Sequence, residues 1–298
     1  MKKLRLGVLG MSEGNGHPYS WSAIFNGYDA IAMANCPFPT IPEYLSKEAY
    51  PEQFLSDIAE VTHVWTQDEV ISQAIAKAAK IEKVVRHYTD LIGKVDAVLL
   101  ARDDAENHYE MALPFLKAGV PIFIDKPFAL TISEAKNMIA SQQFESQIFT
   151  CSSLRYASEI LLTDEEINNL GVISEVTAYC PKYWNTYAVH LLEPIIVNCT
   201  ERGKLLNIVK ASTQLSRHSV NIRWENLYGV IHMTKEEAHQ IEFVYKGKNN
   251  KVVRKYFNNS FNCFKKSLEV FVSQTNLKEN FILREETLEI VKIIENGK

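Results

Sequence analysis

Residues 96–127 read DAVLLARDDAENHYEMALPFLKAGVPIFIDKP, and this stretch decides the fold. An apolar run ending at Ala101 breaks into the polar burst Arg102, Asp103 and Asp104. A segment with helical spacing follows through His108 and closes on Ala118-Gly119, and a second apolar run at 122–124 ends in Asp125-Lys126-Pro127. Strand, helix and strand in so short a span make a βαβ unit, which imposes a parallel pair. Runs that are apolar throughout, without alternation, predict helices on both faces of that sheet.

Outward from this unit, the first 127 residues alternate β-rich runs at 4–9, 30–34, 61–65, 97–101 and 122–124 with helix-like segments. The fold class predicted is α/β, a Rossmann-type parallel sheet over 1–127. Thr66-x-x-Glu69 and Thr131-x-x-Glu134 have capping-box spacing. Four prolines (Pro37, Pro39, Pro42, Pro51) predict an irregular crossover after the second run. From 128 the pattern changes. A helix at 132–142, a strand around 148–152 and an acidic helix at 164–169 precede alternating runs at 174–180, 206–213, 220–232, 240–245 and 252–257. These predict a second, α+β domain over 128–298 with a mainly antiparallel open sheet, closed by an amphipathic helix at 284–295 that is free to pack back on the first domain.

A chain of 298 residues with 46% hydrophobic content has enough apolar side chains for two packed domains. A net charge of −4 spread over mixed-sign residues gives no electrostatic reason to expect nucleic acid or an anionic membrane as partner. Five dispersed cysteines without a Cys-x-x-Cys pair signal neither a disulfide framework nor a zinc site. Met1-Lys-Lys is followed by an apolar run broken at Arg5, which suits a first strand better than a leader. The expectation is a cytoplasmic protein with a small-molecule substrate.

The first strand runs into Gly10-Met-Ser12-Glu-Gly14-Asn15-Gly16-His17-Pro18, where a Rossmann fold carries its phosphate loop. The spacing is not GxGxxG, so a phosphate cradle and an ordinary turn are both open readings. The second run ends in Asn35 rather than an acidic residue, which leaves NAD and NADP equally open. Arg102, Asp103, His108, Asp125, Lys126 and Pro127 follow strands four and five, at the sheet edge where such folds bind ligands. Lys126 stands out, because a lysine there can donate to a substrate hydroxyl and shift its pKa when desolvated.

The run from Asp96 to Pro127 resembles the Gfo/Idh/MocA oxidoreductases, the family of glucose-fructose oxidoreductase and inositol dehydrogenase. The likeness continues through Leu154-Arg155-Tyr156, Leu170-Gly171 and Tyr187-Ala-Val-His190-Leu-Leu-Glu193. It implies NAD or NADP as cofactor, held by Gly10, Ser12, Gly14, Asn15, Gly16, His17, Asn35, Arg102, Asp103, His108, Asp125, Lys126 and Pro127. It implies Lys126 and His190 as the catalytic pair, with His190 as general acid/base reaching the cleft from the second domain. Arg155, Lys182, Tyr183, Trp184, Asn185, Thr186 and Tyr187 would face the substrate, and a homodimer or homotetramer is expected. Three positions depart from the family pattern: Thr186 stands where the family has Asp four residues before the histidine, Asp125 replaces Glu, and the glycine loop is remodelled. The resulting expectation is an oxidoreductase acting on a hydroxyl or keto carbon of a sugar, sugar phosphate, nucleotide sugar or cyclitol. A lyase, epimerase or hydrolase that retains its NAD, and a non-catalytic binding or sensor descendant, are the alternatives.

Overall fold

The computed structural model describes residues 3–211, 216–234 and 240–298. Met1 and Lys2 of the opening segment, and 212–213 of the strand predicted at 206–213, lie outside the described residues. In chain order the elements are β1 (Leu4–Leu9), α1 (His17–Asn26), α2 (Ala30–Ala34), α3 (Thr40–Leu45), β2 (Ala59–Trp65), α4 (Glu69–Ala78), β3 (Lys83–Val84), β4 (Ala97–Leu100), α5 (His108–Lys117), β5 (Ile122–Ile124), α6 (Ile132–Ala140) and β6 (Ile148–Phe149). There follow α7 (Asp164–Leu170), β7 (Ile173–Cys180), α8 (Trp184–Asn198), β8 (Leu205–Ala211), β9 (Ser216–Trp224), β10 (Tyr228–Thr234), β11 (Glu242–Gly247), β12 (Val252–Tyr256), α9 (Ser260–Leu277) and α10 (Arg284–Asn296).

The chain divides into two compact units. The first holds 1–128, 136–150 and 260–283, and the second holds 129–135, 151–259 and 284–298. The first boundary falls one residue past the sequence expectation, but the chain returns to the first unit twice. The strand expected near 148–152 becomes β6 and pairs with β5. The tail helix α10 stays in the second unit, and the helix that rejoins the first is α9, a segment the sequence reading passed over. In α9, Gln274 is 2% exposed and donates from Nε2 to the carbonyls of Ser146 and Ile148, each at 3.0 Å.

The first unit is a six-stranded sheet in the order β3-β2-β1-β4-β5-β6, parallel at every pairing. This is the doubly wound order, with its topological switch between β1 and β4. Leu6, Val8, Leu99, Leu100, Ile122 and Ile124 are fully buried, each worth roughly 1.5–3 kcal/mol of transfer free energy. One predicted strand is corrected. Residues 30–34 form α2, because Asp29 caps the run by accepting the Ala32 N–H at 2.8 Å and a five-residue apolar run carries no decisive period. The true second strand is β2, so the sheet's second carboxyl edge is Trp65-Thr66-Gln67-Asp68. The cap of α4 is Asp68, which accepts from Val70 and Ile71, two residues beyond the predicted Thr66. In the proline-rich crossover, only 40–45 is α-helical.

The second unit is a six-stranded sheet in the order β12-β11-β7-β10-β9-β8. It is antiparallel except for the central β7–β10 pair, which is parallel. The run predicted at 220–232 splits into β9 and β10 around residues 225–227. One face of the sheet buries Val176, Ala178, Ile222, Ile231, Phe243 and Tyr245. Against it lies α8, buried from Ala188 to Ile196, as expected of a helix that is apolar on most sides.

Candidate functional site

The carboxyl ends of β1, β4 and β5 bring most of the predicted cofactor residues of the first unit together. At the end of β1 the chain turns sharply at Gly10, where a Cβ would come within 2.3 Å of the Pro18 ring. Any side chain here would push α1 off the strand. Asp125, 1% exposed, gathers the loop behind it. Its Oδ2 accepts from Asn15 Nδ2 at 2.9 Å and pairs with His17 Nδ1 at 2.7 Å, while its Oδ1 accepts the Lys126 N–H at 2.7 Å. Burial pushes this carboxyl up, but His17, Lys126 and the hydrogen bonds prevail and bring it to about 2. A folded-state pKa depressed from 3.8 stabilises the fold above about pH 4, and that contribution is lost as pH falls through 2. Asp125→Asn is expected to cost about 2 kcal/mol at pH 7. In urea titrations the gap from wild type should close between pH 4 and 2.

Lys126 is nearly enclosed, with its side chain 5% exposed, and its Nζ lies 3.1 Å from Asp103 Oδ2. The other Asp103 oxygen accepts from Ser12 Oγ, which in turn accepts the Asp103 N–H at 3.0 Å. Ser12, Asp103 and Lys126 thus form one chain of hydrogen bonds across the switch point. Beside it, Arg102 pairs with Asp104 through Nε at 2.8 Å and through Nη2, and its Nη1 donates to Gln67 Oε1 at 3.2 Å. Burial works to raise the Asp104 carboxyl, yet Arg102 holds it below the carboxylate range. Gln67, at the end of β2, accepts the Met11 N–H at 2.9 Å and donates back to the Met11 carbonyl. His108, fully buried, stands 2.8 Å from the Arg102 carbonyl and 3.2 Å from that of Phe128. That places it as a tie between two loops. Pro127 is buried. Asn35 is elsewhere: it ends α2, exposed, and donates to the Ile31 carbonyl at 2.9 Å. Sequence reasoning missed Gln67, and the signal that could have found it was Asp29 as a helix cap, which moves the second strand to 59–65.

A dinucleotide needs donors for its pyrophosphate. The start of α1 supplies none in this conformation: the His17 N–H is bound by Asn15 Oδ1 at 2.8 Å, Pro18 has no N–H, and those of Tyr19 and Ser20 go to the Gly16 carbonyl. The preceding turn fits better. The N–H groups of Ser12, Glu13 and Gly14 take no part in these bonds, and Gly14 has φ +78° with no atom within 4 Å of where a Cβ would stand. Consecutive backbone N–H groups around such a residue form an anion-receptive concavity.

In the second unit the predicted acid–base residue lies on α8, beside the turn at 152–156. His190 is 8% exposed. Its Nδ1 is 2.6 Å from Ser152 Oγ, and its ring is 5.0 Å from that of Tyr187. Arg155 is committed to two carboxylates, donating from Nη1 to Glu193 at 2.7 Å and from Nη2 to Glu286. Burial raises the Glu193 carboxyl in spite of Arg155. Lys182, Tyr183, Trp184 and Asn185 line a cavity of about 350 Å³ together with Lys210 and His218. Thr186 and Tyr187 follow on α8, with the Tyr187 ring 5.8 Å beneath the Lys182 ammonium. Trp184 is anchored by its Nε1 donating to the Ile294 carbonyl at 2.9 Å.

The sequence model of an oxidoreductase family with an NAD-binding Rossmann fold, GFO_IDH_MocA, matches residues 44–152. Among curated proteins, no sequence matches the chain. Solved structures with the same architecture include myo-inositol 2-dehydrogenase from Lactobacillus plantarum, with 14% identity, 99% of this chain and 96% of that one covered, and a TM-score of 0.74. Scyllo-inositol dehydrogenase from Lactobacillus casei shares 12% identity, with 99% and 96% covered and a TM-score of 0.73. UDP-N-acetylglucosamine 3-dehydrogenase from Acidithiobacillus ferrooxidans shares 12%, with 100% and 97% covered and a TM-score of 0.70. Likeness at these identities is a likeness of fold.

Proposed function

We propose that this chain, whose residues 44–152 match the model of an oxidoreductase family with an NAD-binding Rossmann fold, is an NAD(P)-dependent oxidoreductase of the Gfo/Idh/MocA kind acting on a hydroxyl or keto carbon of a sugar or cyclitol. The observation that carries the reading is the Ser12–Asp103–Lys126 chain at the switch point of a doubly wound sheet. The turn at 12–14 would receive the pyrophosphate, Gln67 would face the adenosine ribose, and Asp103 and Lys126 the nicotinamide end. The dinucleotide supplies the hydride acceptor or donor. Lys126 then donates to the reacting oxygen and so holds it in place. His190 takes up or returns the hydroxyl proton, which must leave as the hydride does. The aromatic residues Tyr183 and Trp184 give a ring-shaped substrate an apolar surface on which to stack.

One observation favours a second reading, a binding protein without turnover: the first N–H groups of α1 are already satisfied within the chain. Titration of tryptophan fluorescence with NADH and NADPH separates the two, since Trp65 stands two residues from Gln67. Saturable quenching at micromolar concentration by one dinucleotide is expected. No binding of either at millimolar concentration, checked by calorimetry, would replace the oxidoreductase with the binding protein.

A further inference from the structure

We propose that Ser152 is the positioning residue of His190, taking over the orienting task that a carboxylate would perform from position 186. The proposal rests on the oxidoreductase reading for its role, though not for its geometry. Thr186, one turn before His190 on α8, is not an acid. The partner of the imidazole comes instead from a separate segment, with Ser152 Oγ 2.6 Å from Nδ1. Ser152 is fully buried and His190 nearly so, so water competes little for this bond.

The serine is itself held by two further hydrogen bonds. Its Oγ accepts the Leu154 N–H at 3.1 Å, and its own N–H donates to Glu193 Oε1 at 3.3 Å. Arg155, in the same turn, ties to Glu193 Oε2 at 2.7 Å. Glu193 lies three residues after His190, so the turn and the helix are clamped on either side of the imidazole. The Tyr187 ring stands 5.0 Å from the imidazole. An imidazole so fixed has its Nδ1 engaged by the serine. With one Oγ lone pair on the Leu154 N–H, the hydroxyl meets Nδ1 either by accepting Nδ1–H or by donating its own proton, and either bond fixes the ring. A hydroxyl differs from a carboxylate in carrying no charge, so it orients the base without electrostatically favouring the imidazolium.

The test is a long-range ¹H–¹⁵N correlation spectrum of the histidine side chains in the full-length protein, with His190 assigned by the loss of its signals in His190→Asn. In wild type above neutral pH, the His190 Nδ1 shift is expected to carry the displacement of a hydrogen-bonded nitrogen. In Ser152→Ala that displacement should be lost, and Ser152→Thr, which keeps the hydroxyl, should restore it. On a substrate found by polyol screening, Ser152→Ala should lower kcat roughly 10- to 100-fold with KM little changed. An unaltered His190 Nδ1 shift in a folded Ser152→Ala protein would overturn the proposal. If the shift changes as described and no polyol is turned over, the dyad stands and the oxidoreductase reading falls.

Discussion

Lys126→Ala is expected to lower turnover of the screened polyol by about 10²–10⁴, the range for a positioned acid–base group, while the dinucleotide dissociation constant moves no more than a few-fold. The ammonium is one of two partners of Asp103, and Ser12 remains to hold the other oxygen. Asp103 is 18% exposed at its side chain, so water can satisfy the oxygen released and the fold should survive. Stopped-flow hydride transfer, measured alongside fluorescence binding, checks both halves. Unchanged turnover would remove Lys126 from the reaction. A parallel collapse in dinucleotide affinity would make it a holding group for the cofactor.

Arg155→Met should cut stability by about 3–5 kcal/mol at pH 7, as expected when one partner of a buried ion pair is removed. The change strands Glu193, which is 4% exposed and already has its carboxyl raised by burial in spite of Arg155. The pH dependence has a definite sign. A carboxyl raised in the folded state favours folding while protonated and opposes it as pH rises through the folded-state value. The loss in Arg155→Met should therefore be largest at neutral pH and ease as the solution is acidified, which chemical denaturation at a series of pH values measures. A pH-independent loss of the same size would point to lost packing instead of a stranded charge.

The parts of this molecule legible in its sequence are those where a local rule and the tertiary structure agree. The runs at 97–101 and 122–124 are apolar because both faces of the sheet are covered, so they were readable as parallel strands. Thr163 and Glu166 form a capping box at the start of α7, and the helix there was predicted to within one residue. Residues 30–34 were misread because alanine, isoleucine and methionine suit a buried strand and a short helix alike, and only Asp29 breaks the tie. That single error displaced Asn35 to the sheet edge and hid Gln67. The Ser12–Asp103–Lys126 chain is half legible: each residue follows a strand, but their mutual contacts depend on strand order, which no window of sequence contains. Ser152 gave no signal at all. Its importance comes from a neighbour 38 residues away.

The return of 260–283 to the first unit has a bearing on how the protein is made. On a ribosome, strands β1 to β6 emerge long before α9, whose Gln274 satisfies the Ser146 and Ile148 carbonyls and whose Phe271 packs on Phe123 and Phe149. Until those residues are synthesised, that flank of the nascent Rossmann sheet presents bare aromatic surface and unanswered carbonyls. The first unit therefore completes its folding only after 260–283 has been synthesised, and a stop codon before 260 removes part of that unit.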